Sequence, residues 1–331
     1  DDNFTYPRYD LDVALLRAYE NGKPARVEHF LAIEPKGAEE GDLVFASGCP
    51  RETDRLMTHD MLAQLRDVTT PFTLERIYEL RSVMKEYSSR GEEEARRART
   101  VVYFLENYIK STEGEFGGLK DPSMMSRKKT QEDALRSAIE KDPKLKEEFG
   151  SAWKEIENSI KWENGHIGDV RYKQDVGWRN MLATALTMAR YASESVKPNA
   201  VRLEGFHETD LEDIVRDIET PAPVYKDLEE VMLNNVLGSK FKGLSKDDPF
   251  VKAVFEGKEP EALVREVLAG TKLDDAAFRT KMMEKKGKAI LKSGDPLLAL
   301  ARRMDPFLRE AEKAYRDNVW AVQEAALTKI A

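Results

Sequence analysis

Residues 178–196 read WRNMLATALTMARYASESV. Trp178, Leu182, Ala185, Ala189, Ala192 and Val196 recur at alternating steps of four and three. Those steps follow the 3.6-residue turn of an α-helix and put all six side chains on one face. Lys197-Pro198 then closes the run, because the residue before a proline is pushed out of helical geometry. Toward the N-terminus the same period appears in Ile77, Leu80, Met84 and Tyr87, after Thr70-Pro71, which predicts a start with Thr as cap and Pro at the first helical position. A second helix is predicted from about Glu92 to Lys110, with Glu92–Arg96 and Glu93–Arg97 paired on its solvated side. Toward the C-terminus, Leu308, Ala311, Tyr315, Val319, Val322 and Ala326 predict a long helix beginning after Pro306. Shorter helices fill 123–160 and 209–303. No internal repeat is visible, so a regular solenoid is not expected. The reading is a mainly α protein with an irregular multi-helix domain over residues 59–331.

Residues 1–58 carry a different signal. Leu11–Tyr19 is apolar-rich, and Asn21-Gly22 is the dipeptide that best tolerates the positive φ of a tight hairpin turn. Val27–Ile33 follows as the return strand and Leu43–Ala46 as a short third. About three strands are expected, as part of a sheet whose remaining strands lie elsewhere.

The 331 residues are 41% apolar and 34% charged, with a net charge of −8. That balance suits a folded chain with a heavily charged surface. It opposes nucleic-acid binding by phosphate neutralisation. No run approaches the roughly 18 apolar residues of a membrane-spanning helix. Cys49 is the only cysteine, so no internal disulfide forms. The chain opens at Asp1-Asp2 inside what reads as a motif, with neither an initiator Met nor a leader, so a mature product or an excised piece of a longer protein is expected. Neither GxxxxGK[ST] nor GxGxxG occurs, so nucleotide binding has no support. His29, His59, His166 and His207 lack metal-ligand spacing. No metal or cofactor is expected.

Catalytic candidates concentrate at the N-terminus. Strand alternation puts Asp10 and Asp12 on one face and Leu11, Val13 and Leu15 on the other. Asp12, opening an apolar run, looks like the aspartate that orients the histidine in chymotrypsin-like serine peptidases. The same residue also reads as a solvated Asp on an edge strand. No serine sits in a G-x-S-x-G elbow. Cys49 has only its rarity in favour of a nucleophilic role.

Several segments taken together resemble the bacterial dipeptidyl-peptidase seven and eleven family. They are Asn3-Phe4 with Tyr6-Pro7-Arg8 and Asp12, then Ala18-Tyr19-Glu20-Asn21-Gly22-Lys23-Pro24. Glu40-Gly41-Asp42-Leu43-Val44-Phe45 follows, then the turn Gly48-x-Pro50-x-x-Thr53-Asp54-Arg55-Leu56, and later Lys197-Pro198-Asn199. Members are serine exopeptidases with a chymotrypsin-like double β-barrel and a large inserted helical domain. The resemblance implies that Asp12 is the triad aspartate. It implies that Asn3 and Phe4 match an Asn-Trp pair that binds the substrate's free amino terminus, with Phe keeping the aromatic wall and losing the indole N–H. It also implies that Asn107 completes the amine site from the helical domain. The turn departs from the family's Gly-Asn-Pro-Gly, reading Gly48-Cys49-Pro50-Arg51.

The family's histidine and serine match nothing in the chain. The expectation is therefore a piece of a peptidase, inactive alone, that meets peptide substrate and the missing barrel segments of its parent. A homodimer and a periplasmic or secreted location are also implied. The alternative is a non-catalytic helical interaction module.

Overall fold

The computed structural model describes residues 14–45, 55–177 and 180–331. Asn3, Phe4, Asp12, Trp178 and the Gly48–Arg51 turn with Cys49 lie outside these residues. The chain divides into two compact units between Arg55 and Leu56.

In the N-terminal unit, β1 (Tyr19–Glu20) and β2 (Lys23–Pro24) pair antiparallel, Tyr19 opposite Pro24 and Glu20 opposite Lys23. Asn21 and Gly22 make the turn at φ 50° and 74°, as their residue types predict. The strands are far shorter than expected. Val27–Ile33 and Leu43–Phe45 form no strand, so among the described residues two strands stand where about three were expected. A strand needs a neighbour for its backbone groups, and no third described segment here offers one.

The second unit is helical throughout. Its first run joins α1 (His59–Gln64) to α2 (Thr70–Ser88), and α3 (Glu92–Leu119) folds back along α2. Next come α4 (Pro122–Lys141), α5 (Pro143–Phe149), α6 (Ala152–Gly165) and α7 (Met181–Glu194). The chain continues through α8 (Leu211–Glu219), α9 (Lys226–Gly243), α10 (Pro249–Phe255) and α11 (Pro260–Gly270). It ends with α12 (Ala276–Gly287), α13 (Pro296–Tyr315) and α14 (Ala321–Ile330).

Four of these helices open on Asp-Pro. Asp121, Asp142, Asp248 and Asp295 each accept a backbone N–H from the residue two positions on, while the proline takes the first helical position, where no N–H is needed. A fifth Asp-Pro, Asp305-Pro306, lies inside α13, so the helix does not begin after Pro306. Asp305 instead binds Arg190 and Arg309, at 2.7 and 2.6 Å. The first half of α13 buries Leu297, Leu298, Leu300, Ala301 and Met304, enough apolar surface to outweigh a proline cost of about 3 kcal/mol.

α2 does begin at Thr70 with Pro71 in its first turn, but Thr70 is itself helical and is not the cap. Thr58 caps the run, accepting from the Met61 N–H, and the helix passes through Thr70. α3 runs nine residues beyond Lys110 despite Gly114, Gly117 and Gly118, because Thr112 and Leu119 continue its buried stripe. Glu93 pairs with both Arg96 and Arg97.

α7 is the centre of the largest core. Leu182, Ala185, Ala189 and Ala192 are buried in it, with α8, α12 and α13 packed against α7, whereas Val196 lies beyond the helix and is exposed. A second apolar cluster joins α2 and α3 to α9 through Met84, Tyr87, Leu105, Ile109 and Met232. A third joins α6 to α14 and α4 around Trp153 and Ile156. Among the described residues no helix is long and apolar enough to cross a membrane.

Candidate functional site

Among the described residues three π-turns interrupt the helical unit, at Leu65–Thr69, Gly168–Lys173 and Arg316–Trp320. Each inserts a residue into the helical ladder and widens it, a feature that recurs at functional sites. In the first, the Thr70 N–H reaches the Leu65 carbonyl, and Pro71 next to it has no N–H to restore the regular pattern. Arg171 in the second donates to Thr69 Oγ1 in the first at 3.1 Å, and to Glu163 Oε1 at 2.7 Å. Tyr315, just before the third, has its hydroxyl pKa raised by burial and by the Glu163 charge, with Arg171 opposing.

Beside this cluster a cavity of about 270 Å³ opens among α2, α3, α9 and the segment 168–177. Its apolar wall comes from Phe72, Ile77 and Leu80 of α2 and from Leu105 of α3. Phe104 and Tyr108 form an exposed aromatic lip, their ring centroids 6.0 Å apart. Val236 closes the far side. Gly177 passes it at φ 74°, and a Cβ there would meet the Val236 side chain at 2.5 Å, so this wall requires glycine.

The polar end holds Arg76, Arg171, Asp175 and Asn235. Arg76 pairs with Glu79 and, at 3.4 Å, with Asp175, whose carboxylate also accepts the Gly177 N–H at 2.8 Å. Nearby, the fully buried Lys240 donates to the carbonyls of Tyr172 and Lys173. Burial pushes Lys240 down to about 8, Arg76 adding to the fall and Asp175 opposing it. The buried Arg171 Nε–H has no hydrogen-bond partner among the described residues. Among the described residues no histidine, serine or cysteine lines the cavity.

Of the candidate catalytic and substrate-binding residues Asp12, Asn3, Phe4 and Asn107, only Asn107 is described. It is half-buried on α3, between the lining residues Leu105 and Tyr108 but not itself lining the cavity. His29 is exposed in the N-terminal unit, and His59 opens α1. His166 stacks on Trp162 at 4.3 Å, and the His207 ring lies 3.1 Å from the Asn199 carbonyl. Among the described residues no His, Cys, Asp and Glu cluster could hold a metal. Sequence reading missed Arg171, Asp175 and Asn235. Gly168 and Gly177, which bracket a stretch without clean helical period, were the signal that could have found the first two.

A family model described as Peptidase S46 matches residues 1–329. An Asp/Glu-specific dipeptidyl-peptidase of Shewanella putrefaciens is 27% identical over 224 residues, covering 63% of this chain and 30% of the relative. One of Capnocytophaga gingivalis is 29% identical over 173 residues, covering 47% and 24%. The chain thus spans less than a third of the length of these relatives. Among solved structures, the crystal structure of Porphyromonas endodontalis DPP11 matches with a TM-score of 0.53 at 14% identity, over 83% of this chain and 40% of that one. The same protein in complex with the dipeptide Arg-Asp matches at 0.54 and 14% identity, over 84% and 40%. These structural matches show a shared fold.

Proposed function

The chain belongs to the peptidase S46 family, and we propose that it is the helical domain, with part of the catalytic barrel, of a serine-type peptidase that releases dipeptides from peptide N-termini. The observation that carries this reading is the family match over residues 1–329. The names of the two relatives support the dipeptide product. In this reading Asp12 orients a histidine that activates a serine, and both partners lie in the same protein outside residues 1–331.

The surface of the N-terminal unit supports the missing barrel. Leu15, Leu16, Phe30, Leu31, Ile33 and Phe45 are 77% to 95% exposed. An apolar set of that density calls for a covering surface, and further barrel strands are the cover proposed here. The family resemblance also leads us to propose a periplasmic or secreted location, which fractionation of cells would test.

A dipeptide cut requires that the substrate's ammonium be held a fixed distance from the scissile bond. An ammonium has three donors and no acceptor, so it needs oxygens around it. Asn3 and Asn107 would each offer an amide oxygen, and Phe4 an aromatic face worth about 0.5–2 kcal/mol as a cation–π contact. The test uses the full-length protein with paired substrates whose amino termini are free or acetylated. Peptides with Asp or Glu in second position are the first to try, given the relatives. Asn3→Ala should lose the preference for the free amine. Discrimination as strong as wild type would move the anchor elsewhere.

A further inference from the structure

Lys240 of α9 has no part in the catalytic reading, yet it is fully buried and holds the segment 168–177. The helical run of that segment ends at Gln174, so the carbonyls of its last turn lack helical partners. Lys240 caps two of them from another helix, donating to Tyr172 and, at 3.0 Å, to Lys173. The Phe250 ring centroid lies 5.8 Å from its Nζ. Among the described residues no carboxylate pairs with it: Asp175 attracts from a distance and Arg76 of α2 repels. The neighbouring Lys173 is taken up by Asp169 and by Asp248, the cap of α10. α11 packs on α9 with Leu263, Val264, Val267 and Leu268 buried, its Glu261, Arg265 and Glu266 being exposed. α3 meets α9 at the opposite end, where Arg97 pairs with Asp227. An ammonium buried among dipoles, without a counter-ion, regains only part of its lost hydration, whereas a neutral amine costs far less to bury.

We propose that Lys240 is a proton-linked latch: protonated, it lets the segment 168–177 lift from α9, and neutral, it keeps the segment closed. The sign follows from where the charge is better solvated. Burial lowers Lys240 to about 8 in the closed form, and lifting the segment into water returns it toward its ordinary 10.5. The open form therefore binds the proton more tightly, and closure strengthens as pH rises through that window. The segment carries Arg171, Asp175 and Gly177 to the cavity among α2, α3 and α9. It also carries Asp169, Val170 and Lys173 to a second cavity, of about 220 Å³, beside α13. One latch thus governs access to both, whatever the reaction of the parent protein.

The experiment is amide hydrogen exchange of the full-length protein, read by mass spectrometry in half-unit steps from pH 6 to pH 9 and corrected for the intrinsic exchange rate. Peptides within 168–177 should open about tenfold less often at pH 9 than at pH 7, the change that the two values for Lys240 require. Peptides from α11 should show no such change. Lys240→Met is similar in length and has no proton to bind, so protection of the segment should be the same at both pH values. Should that variant fail to fold, Asp175→Asn takes its place. It keeps an acceptor for the Gly177 N–H and removes the charge that favours the protonated amine, so the fall in opening should begin at lower pH. Equal protection at pH 7 and pH 9 in the wild type, the same change in Lys240→Met, or an unmoved onset in Asp175→Asn would overturn the proposal.

Discussion

Glu229 of α9 is buried, and one backbone donor, the Met181 N–H at the start of α7, meets its carboxylate at 2.8 Å. Burial drives its pKa up to about 7, and the Met181 hydrogen bond only partly opposes the rise. The ordinary value is 4.5. Between those two pH values the folded chain holds more protons than the unfolded one, so stability falls as pH rises through the window and levels off above it. The full loss is on the order of 3 kcal/mol. Glu229→Gln keeps an acceptor for Met181 and has no charge to desolvate. Denaturant unfolding should therefore find variant and wild type similar at pH 4.5 and the variant more stable at pH 7.5. Parallel pH profiles would contradict this. Nothing in the sequence around Glu229 announces the effect: a Glu beside another Glu on a charged helix reads as solvent-facing. Its burial is decided by α7, about fifty residues earlier in the chain.

Helix beginnings are where sequence reading and structure diverge most instructively. Asp-Pro occurs at five places in the chain and begins a helix at four. The fifth differs because Arg190 and Arg309 claim the Asp305 carboxylate, a tertiary contact that local sequence does not display. The stripes themselves were legible: Leu182, Ala185, Ala189 and Ala192 are buried as their spacing predicts, and so are Leu308, Ala311, Val319 and Ala326, while Tyr315 and Val322 are half-buried. The π-turns were not, since the extra residue each inserts is absorbed by packing. Asp295 shows how much one cap can hold. Its carboxylate accepts from the N–H groups of Leu297 and Leu298, and also from Lys272 N–H and Thr271 Oγ1 in the loop after α11. Asp295→Ala would strip a cap and leave those donors without an acceptor, costing about 3 kcal/mol. Asp295→Asn, which retains one carbonyl oxygen, should cost less. Thermal or denaturant unfolding of the two variants measures the difference; equal loss would mean that the hydrogen bonds are not the source.

At the scale of the whole molecule, a helical unit with its own cores contrasts with a two-strand unit whose apolar side chains face outward. That contrast suits a domain carried by a catalytic barrel, and it explains what sequence could and could not supply. Helices satisfy their backbone locally and show their period in one segment, whereas strands depend on partners, so the N-terminal segment was legible through its motif more than through its β pattern. In the proposed function Asp12 belongs to the catalytic triad of a dipeptide-releasing peptidase. The most direct measurement is the rate of dipeptide release by the full-length protein and by its Asp12→Asn variant, with matched circular dichroism to verify the fold. An asparagine there leaves the histidine in the wrong tautomer, and the equivalent change in chymotrypsin-type triads costs about 10⁴ in kcat. A folded variant that loses activity by about that factor is the predicted result, and one within tenfold of wild type would contradict the claim.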